Sequence, residues 1–289
     1  MRHLLQRLAD TTILLMVASL SAWSIAEEHE QSSTKLYVLD CGYMDMAGWE
    51  GFQTFYGFPE SAVAIPAQAN PCFLIVNQGQ SLLWDAGLSD ATPSTPVMTK
   101  YGVRFSLKSK LAEQLKNLNY PPQNIDYLAL SHLHFDHIGN LPYFVDVKTL
   151  IQRDEWNAAK GAGPNDIGYN RRSYSPLEDF TKLILLDGDL DVFGDGKVRI
   201  FRTPGHSPGH QSLIVHLDKH GPVVISGDVI HFTEELGALT EASDDAAHGE
   251  PTSALAKLIS RVKEVDGELW VQHDPVQDKT RKYAPEFYE

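Results

Sequence analysis

Apolar and polar positions along the chain fall into short runs with recognisable periods. Leu36-Tyr37-Val38-Leu39, Phe73-Leu74-Ile75-Val76, Ser81-Leu82-Leu83-Trp84 and Tyr127-Leu128-Ala129-Leu130 are apolar stretches too short for helices and read as strands. Val198-Arg199-Ile200-Phe201 and Leu213-Ile214-Val215-His216-Leu217 follow as hairpin-like strands. Val223-Val224-Ile225-Ser226-Gly227 and Leu269-Trp270-Val271-Gln272 are two more β-rich runs. Leu107, Leu111, Leu115 and Leu118 recur at spacings of four, four and three, which predicts an amphipathic helix. Asn119-Tyr120-Pro121-Pro122 stops it, because proline lacks the amide and clashes with the preceding turn. A last helix runs from Ser253 to Val265, with Leu255, Leu258, Ile259 and Val262 on one face and Thr252 or Ser253 as its cap. Asp154, Glu155 and Trp156 open another helix as surface and core residues, and Gly161 to Ser175 reads as an exposed loop. Strand, helix and strand in succession is the local order of a layered α/β protein.

Residues 1–26 stand outside this pattern. Arg2 and Arg7 supply positive charge, Ile13-Leu14-Leu15-Met16-Val17-Ala18 an apolar core, and Ser24-Ile25-Ala26 a small-residue cleavage site. That is a secretory signal in outline and predicts a periplasmic or secreted protein. The apolar part is short for a membrane span of about 20 residues, and an uncleaved anchor is the alternative. Residues 27–289 fit a single domain of the larger kind. The chain carries a formal charge of −14; without residues 1–26, which hold two Arg and one Asp, it carries −15. A field of that sign argues against nucleic acid or an anionic membrane as partner, and leaves a small molecule and a homodimer open. Cys41 and Cys72 flank strand-like runs. An oxidising compartment permits a disulfide, but spacing alone sets no geometry, so two buried thiols are the default expectation. Trp49, Phe52, Phe55, Tyr56 and Phe58 alternate with Gly48, Gly51 and Gly57, too many glycines for a stable helix. This segment is either an apolar flap over a cleft or an ordinarily packed loop.

The chemistry concentrates at Ser131-His132-Leu133-His134-Phe135-Asp136-His137, directly after a strand. Neutral imidazoles and carboxylates are the usual ligands of zinc and similar divalent ions. Elsewhere the same arrangement recurs: His206 follows Val198–Phe201, Asp228 ends the run from Val223, and His273 ends the run from Leu269. Seven such residues are too many for one tetrahedral zinc but suit two ions sharing a carboxylate. His210 is placed to hydrogen-bond near the site more than to ligate, and His216 and His220 carry no ligand context and read as solvent-facing.

This set resembles the metal signature of the metallo-β-lactamase fold superfamily. More narrowly, Ser131 through Gly139, Gln152-Arg153-Asp154-Glu155, and Thr203-Pro204-Gly205-His206-Ser207-Pro208-Gly209-His210-Gln211-Ser212 resemble the N-acyl-homoserine lactone lactonases. The resemblance implies an α/β fold, a four-layer αββα sandwich, holding two Zn2+ or other divalent ions per chain. One ion would take His132, His134 and His206, the other Asp136, His137 and His273, with Asp228 shared. The implied reaction opens the lactone ring of N-acyl-homoserine lactones, a quorum-quenching activity, by attack of a metal-bridging hydroxide. Asp136 would carry the proton, and Asp85 would support the metal loop. The lactonases commonly place a tyrosine three residues after the bridging aspartate, touching the substrate carbonyl. His231 stands there in this chain, and imidazole can also donate a hydrogen bond. The alternative is another hydrolase of the superfamily, acting on a different lactone or ester, a β-lactam or a thioester. β-Lactamases of this His-rich type usually lack the bridging acid, so Asp228 counts against that choice.

Overall fold

The computed structural model describes residues 33–45, 67–99, 102–163, 168–233, 235–236 and 251–289. Residues 1–26, expected from the sequence to be a secretory signal, and the aromatic segment from Trp49 to Phe58 lie outside the described residues. Thr34–Glu289 forms one compact unit.

Two mixed sheets carry the fold. The first contains β1 (Lys35–Asp45), β2 (Ala67–Asn77), β3 (Gln80–Trp84), β4 (Val97–Met98), β5 (Arg104–Ser106), β6 (Tyr127–Ala129), β7 (Lys148–Gln152) and β8 (Leu183–Leu186), in the order β4-β5-β1-β2-β3-β6-β7-β8. The second contains β9 (Leu190–Asp191), β10 (Val198–Arg202), β11 (Gln211–Leu217), β12 (Gly221–Ile225) and β13 (Glu268–Trp270), in the order β13-β12-β11-β10-β9. The helices that cover them are α1 (Leu111–Asn117), α2 (Arg153–Gly161) and α3 (Pro251–Val265).

Side chains on a strand alternate between faces, and here both faces are buried. Leu39, Cys41, Leu74 and Val76 pack against Leu111 and Leu115 of α1 and Trp156 and Ala159 of α2. Their neighbours Leu36, Val38, Phe73 and Ile75 point the other way, onto Ile200, Leu213, Val223, Ile225 and Trp270 of the second sheet. On that sheet's far side Phe201, Ile214 and Val224 meet Leu258 of α3. Three apolar seams therefore separate four layers, helix, sheet, sheet and helix, as the αββα expectation requires. Double-sided burial explains why the strands read as continuous apolar runs.

Several local expectations change. The first helix begins at Leu111, not Leu107, because Asp90 caps it from a distance, accepting from the amides of Leu111 (2.8 Å) and Ala112 (3.3 Å). The last helix begins at Pro251, so Thr252 and Ser253 lie inside it. The loop from Gly161 to Ser175 contains a helical turn, Arg171–Tyr174, whose Tyr174 is buried with its ring edge-on to Trp156. Cys41 and Cys72 are joined as a disulfide between β1 and β2, their Cα atoms 5.6 Å apart, and are not two thiols. β1 pairs with β2 through Leu39↔Cys72, and the register slips just beyond, between Asp40 and Tyr43, which brings Cys41 beside Cys72. Strands β4, β5, β7, β8 and β9 are additions to the sequence reading. Among the described residues no helix is long and apolar enough to cross a membrane.

Candidate metal centre

Strand direction assembles the site. β3 pairs parallel to β6, and β12 parallel to β13, so each pair ends on the same side. Two antiparallel steps, β12 to β11 to β10, return β10 to the direction of β12. Asp85, the loop from Ser131 to His137, His206, Asp228 and His273 follow the carboxyl ends of β3, β6, β10, β12 and β13 respectively.

His132, His134, His206 and Asp228 form one group of potential ligands and Asp136, His137 and His273 another, with the ligand atoms of each group within 4.8 Å of one another. Asp228 faces both. Its Oδ1 lies 3.1 Å from His273 Nε2 and 3.3 Å from His137 Nε2. Its Oδ2 lies 3.5 Å from His206 Nε2 and 3.8 Å from His132 Nε2. Asp136 Oδ2 is 3.5 Å from His137 Nε2 and 3.7 Å from His273 Nε2. All seven residues anticipated from the sequence are thus brought together.

The rings are aimed by hydrogen bonds to their far nitrogens. Asp85 accepts from the Ser131 amide (2.7 Å), the Ser131 hydroxyl (2.9 Å) and His137 Nδ1 (2.8 Å). Ser131 Oγ in turn lies 3.0 Å from His132 Nδ1, and the Ala69 carbonyl takes His273 Nδ1 at 2.7 Å. These contacts turn Nε2 of each ring toward the centre, where a bound ion would take its lone pair. Burial opposes charge on His137, but Asp228, Asp136 and Asp85 push it well above the usual imidazole range. His132 Nε2 and Asp228 Oδ1 are buried with no hydrogen-bond partner. Such groups normally cost about 1–3 kcal/mol when left unsatisfied. A cation at the first group would satisfy His132 Nε2 and one at the second Asp228 Oδ1. Burial drives His132 and His206 well below the usual imidazole range, keeping them as neutral ligands. Burial works against the Asp228 carboxylate, yet the neighbouring imidazoles, His273 and His137 foremost, hold it well below the usual carboxylate range. The residues present fit metal ions.

The sequence profile of the metallo-beta-lactamase superfamily matches residues 66–268. The chain belongs to the metallo-beta-lactamase superfamily. By family it is a metal-dependent hydrolase. The N-acyl homoserine lactonase AttM of Rhizobium radiobacter is 28% identical over 232 residues, covering 75% of this chain and 86% of that protein. The N-acyl homoserine lactonase AiiA of Bacillus thuringiensis subsp. kurstaki is 29% identical over 227 residues, covering 75% and 85%. An N-acyl homoserine lactone hydrolase solved with the product N-hexanoyl-L-homoserine at its catalytic metal centre shares the fold, with TM-score 0.68, 24% identity and coverage of 89% and 99%. AidC, a dizinc quorum-quenching lactonase, shares it with TM-score 0.60, 16% identity and coverage of 90% and 95%.

Other residues around this superfamily site went unrecognised in the sequence. Gln272 donates to Asp85 Oδ2 at 2.8 Å and accepts from Trp84 Nε1 at 3.3 Å, tying the residue before His273 to the first sheet. Asn70 donates to the Asp136 carbonyl at 2.8 Å. Glu155, read from sequence as an ordinary helix-opening residue, is fully buried and accepts from the Leu133 amide. No local pattern flags these residues, because every contact joins positions far apart in the chain. His210 lies outside both ligand groups, and its Nε2 accepts the Asp228 amide. Gly227, at φ +56°, lets the two approach, since a Cβ there would lie 2.6 Å from His210 Nε2. His216 and His220 are partly exposed and remote, with His220 3.0 Å from Glu268.

His231 lies at the rim with Nε2 3.5 Å from Asp228 Oδ2, and its amide is held by Glu235 at 3.2 Å. Burial opposes its charge, but the hydrogen bond and charge of Asp228, with Glu235 behind, push His231 up to about 9. Ions sharing Asp228 would neutralise that carboxylate and pull the imidazole back toward its ordinary range.

Proposed function

We propose that this chain is a dinuclear metal hydrolase that opens the lactone ring of N-acyl-homoserine lactones. The placement of Asp228 between the two ligand groups carries the reading, in a chain aligned with curated lactonases over most of their length. His132, His134 and His206 would hold one ion, Asp136, His137 and His273 the other, and Asp228 both, with zinc the metal best suited to this donor set. When bound, such ions supply a nucleophile at neutral pH by acidifying water and polarise the ester carbonyl.

Ring opening adds water across the acyl C–O bond, so one proton must pass to the leaving oxygen. Asp136 is the chain's carboxylate for that transfer: it belongs to one ligand group only, 3.5 Å from His137 Nε2 and 3.7 Å from His273 Nε2, whereas Asp228 faces both groups. His231 donates from the rim to the carbonyl oxygen, where negative charge develops. Phe135, exposed between His134 and Asp136 and edge-on to Phe105 at 5.3 Å, offers an apolar platform for an acyl chain. The basic and apolar features of residues 1–26, with Ser24-Ile25-Ala26, support export and a mature N-terminus near Glu27, which intact mass of the exported protein would test.

Proton release on ring opening of acyl-homoserine lactones of several chain lengths, followed by pH titration, tests the substrate. Turnover of these lactones with an inert β-lactam control is expected. Faster hydrolysis of the β-lactam, or of a thioester, would move the chain to another branch of the superfamily.

A further inference from the structure

Beside the first ligand group sits an acid that touches none of the ligands. Glu155 lies in the first turn of α2 and is fully buried. One carboxylate oxygen accepts the Leu133 amide at 2.9 Å. The other accepts the Ser207 hydroxyl at 2.6 Å and the Gly209 amide at 3.0 Å. Leu133 is the residue between His132 and His134, and Ser207 follows His206 directly. A single side chain thus joins the loop that carries two ligands to the loop that carries the third. The contact is close: a Cβ on Gly209 would lie 2.1 Å from the Glu155 amide nitrogen, so the loop can lie against the helix only as glycine.

The second group is braced separately. His137 rests on Asp85, His273 on the Ala69 carbonyl, and Asp136 on Asn70 through its own carbonyl. None of those braces involves Glu155 among the described residues. We infer that Glu155 is the positioning residue of the first metal site, fixing the spacing of His132, His134 and His206 and so setting that site's affinity independently of the second. The inference rests on the metal reading of the centre and not on the identity of the substrate.

The Leu133 and Gly209 amides and the Ser207 hydroxyl converge on Glu155, with Tyr169 a further partner, and a carboxylate has acceptor positions for all of them. Glutamine keeps the shape but offers one oxygen and an NH2 group, so at least one backbone amide is left facing a donor. Loops released in this way hold their histidines less well, and loss of such an outer partner typically costs about 10- to 100-fold in metal affinity.

The test uses the full chain, stripped of metal and titrated with Zn2+ or Co2+ against a competing chelator, with folding followed by circular dichroism. The intact protein should bind two ions tightly. Glu155→Gln should lose one of them at about 10- to 100-fold lower chelator concentration while the other binds as before, with an altered visible spectrum for the Co2+ at the weakened site. Ser207→Ala, which removes one of these donors, should move the same site in the same direction by less. A folded Glu155→Gln protein with both affinities unchanged, or with both weakened equally, overturns the inference. If Glu155→Gln does not fold, unchanged affinities in Ser207→Ala overturn it instead. Fewer than two ions in the intact protein would overturn the metal reading and this inference with it.

Discussion

His210 accepts the backbone amide of Asp228 through Nε2 at 2.9 Å, so the carboxylate that faces both ligand groups is held from behind by a ring outside either group. Nδ1 of the same ring lies 2.9 Å from Thr203 Oγ1, which lies 2.8 Å from Ser212 Oγ, which donates to the Ser226 carbonyl at 2.7 Å. The donors run one way along this chain only if His210 is neutral, with its proton on Nδ1.

Acid should therefore attack the fold at His210. Burial pushes this imidazole down to about 4, the charge of Asp228 offsetting part of the effect, whereas an unfolded histidine titrates near 6.5. Between these values the unfolded chain binds the extra proton, so stability falls as pH falls from about 6.5 toward 4. The contribution is of order 3 kcal/mol. Urea unfolding of metal-free protein at pH 7 and pH 4 should show a smaller loss in His210→Gln, whose amide oxygen can still accept from Asp228. Equal losses in both proteins would remove His210 from the account.

Asp228→Ala deprives both groups of their common oxygen donor. Elemental analysis should find about two ions in the parent protein, from the two-site logic of a shared carboxylate, and clearly fewer in the variant. Hydrolysis should fall to near background. Full metal content with intact activity would show that the two groups work without the bridge.

Replacement of His231 separates catalysis from metal holding. His231→Ala should keep its metal and lower kcat by up to about 100-fold, the low end for loss of one donor at a developing oxyanion, because the ions share that work. His231→Tyr should keep appreciable activity, since a phenol donates from a similar place. Lost metal in the Ala variant would instead make His231 part of the ligand shell.

The disulfide should be felt in stability more than in turnover. Cys41 and Cys72 are 31 positions apart, and closing a loop of that size constrains the unfolded chain by about 3–4 kcal/mol in the entropy model. Cys41→Ser, or reduction, should lower the urea midpoint accordingly. An unchanged midpoint, with two thiols titratable in the unreduced protein, would restore the free-thiol expectation.

The ligands were legible because each stands just past an apolar run, and a strand's carboxyl end is where a layered α/β protein exposes chemistry. His206, Asp228 and His273 could be named on that ground alone. Glu155 could not, because its partners Leu133, Ser207 and Gly209 carry no side-chain signal of their own and lie tens of residues away. The helix start at Leu111 was missed for a related reason: Asp90, its cap, is distant in sequence, and a leucine period cannot register where hydrogen bonding begins. The disulfide depended on a register slip between Asp40 and Tyr43 that composition does not encode.

The parallel pairing of β12 with β13 carries a chronology. His132, His134, His206 and Asp228 are all present once the chain has been made through β12 and its following turn, but His273 arrives only after α3 has crossed back and β13 has docked. A growing or truncated chain can therefore complete the first ligand group while the second still lacks a member. Shortening the C-terminus before His273 should leave a protein with one kind of ion site, and during synthesis the pair can be completed only after the last strand is in place.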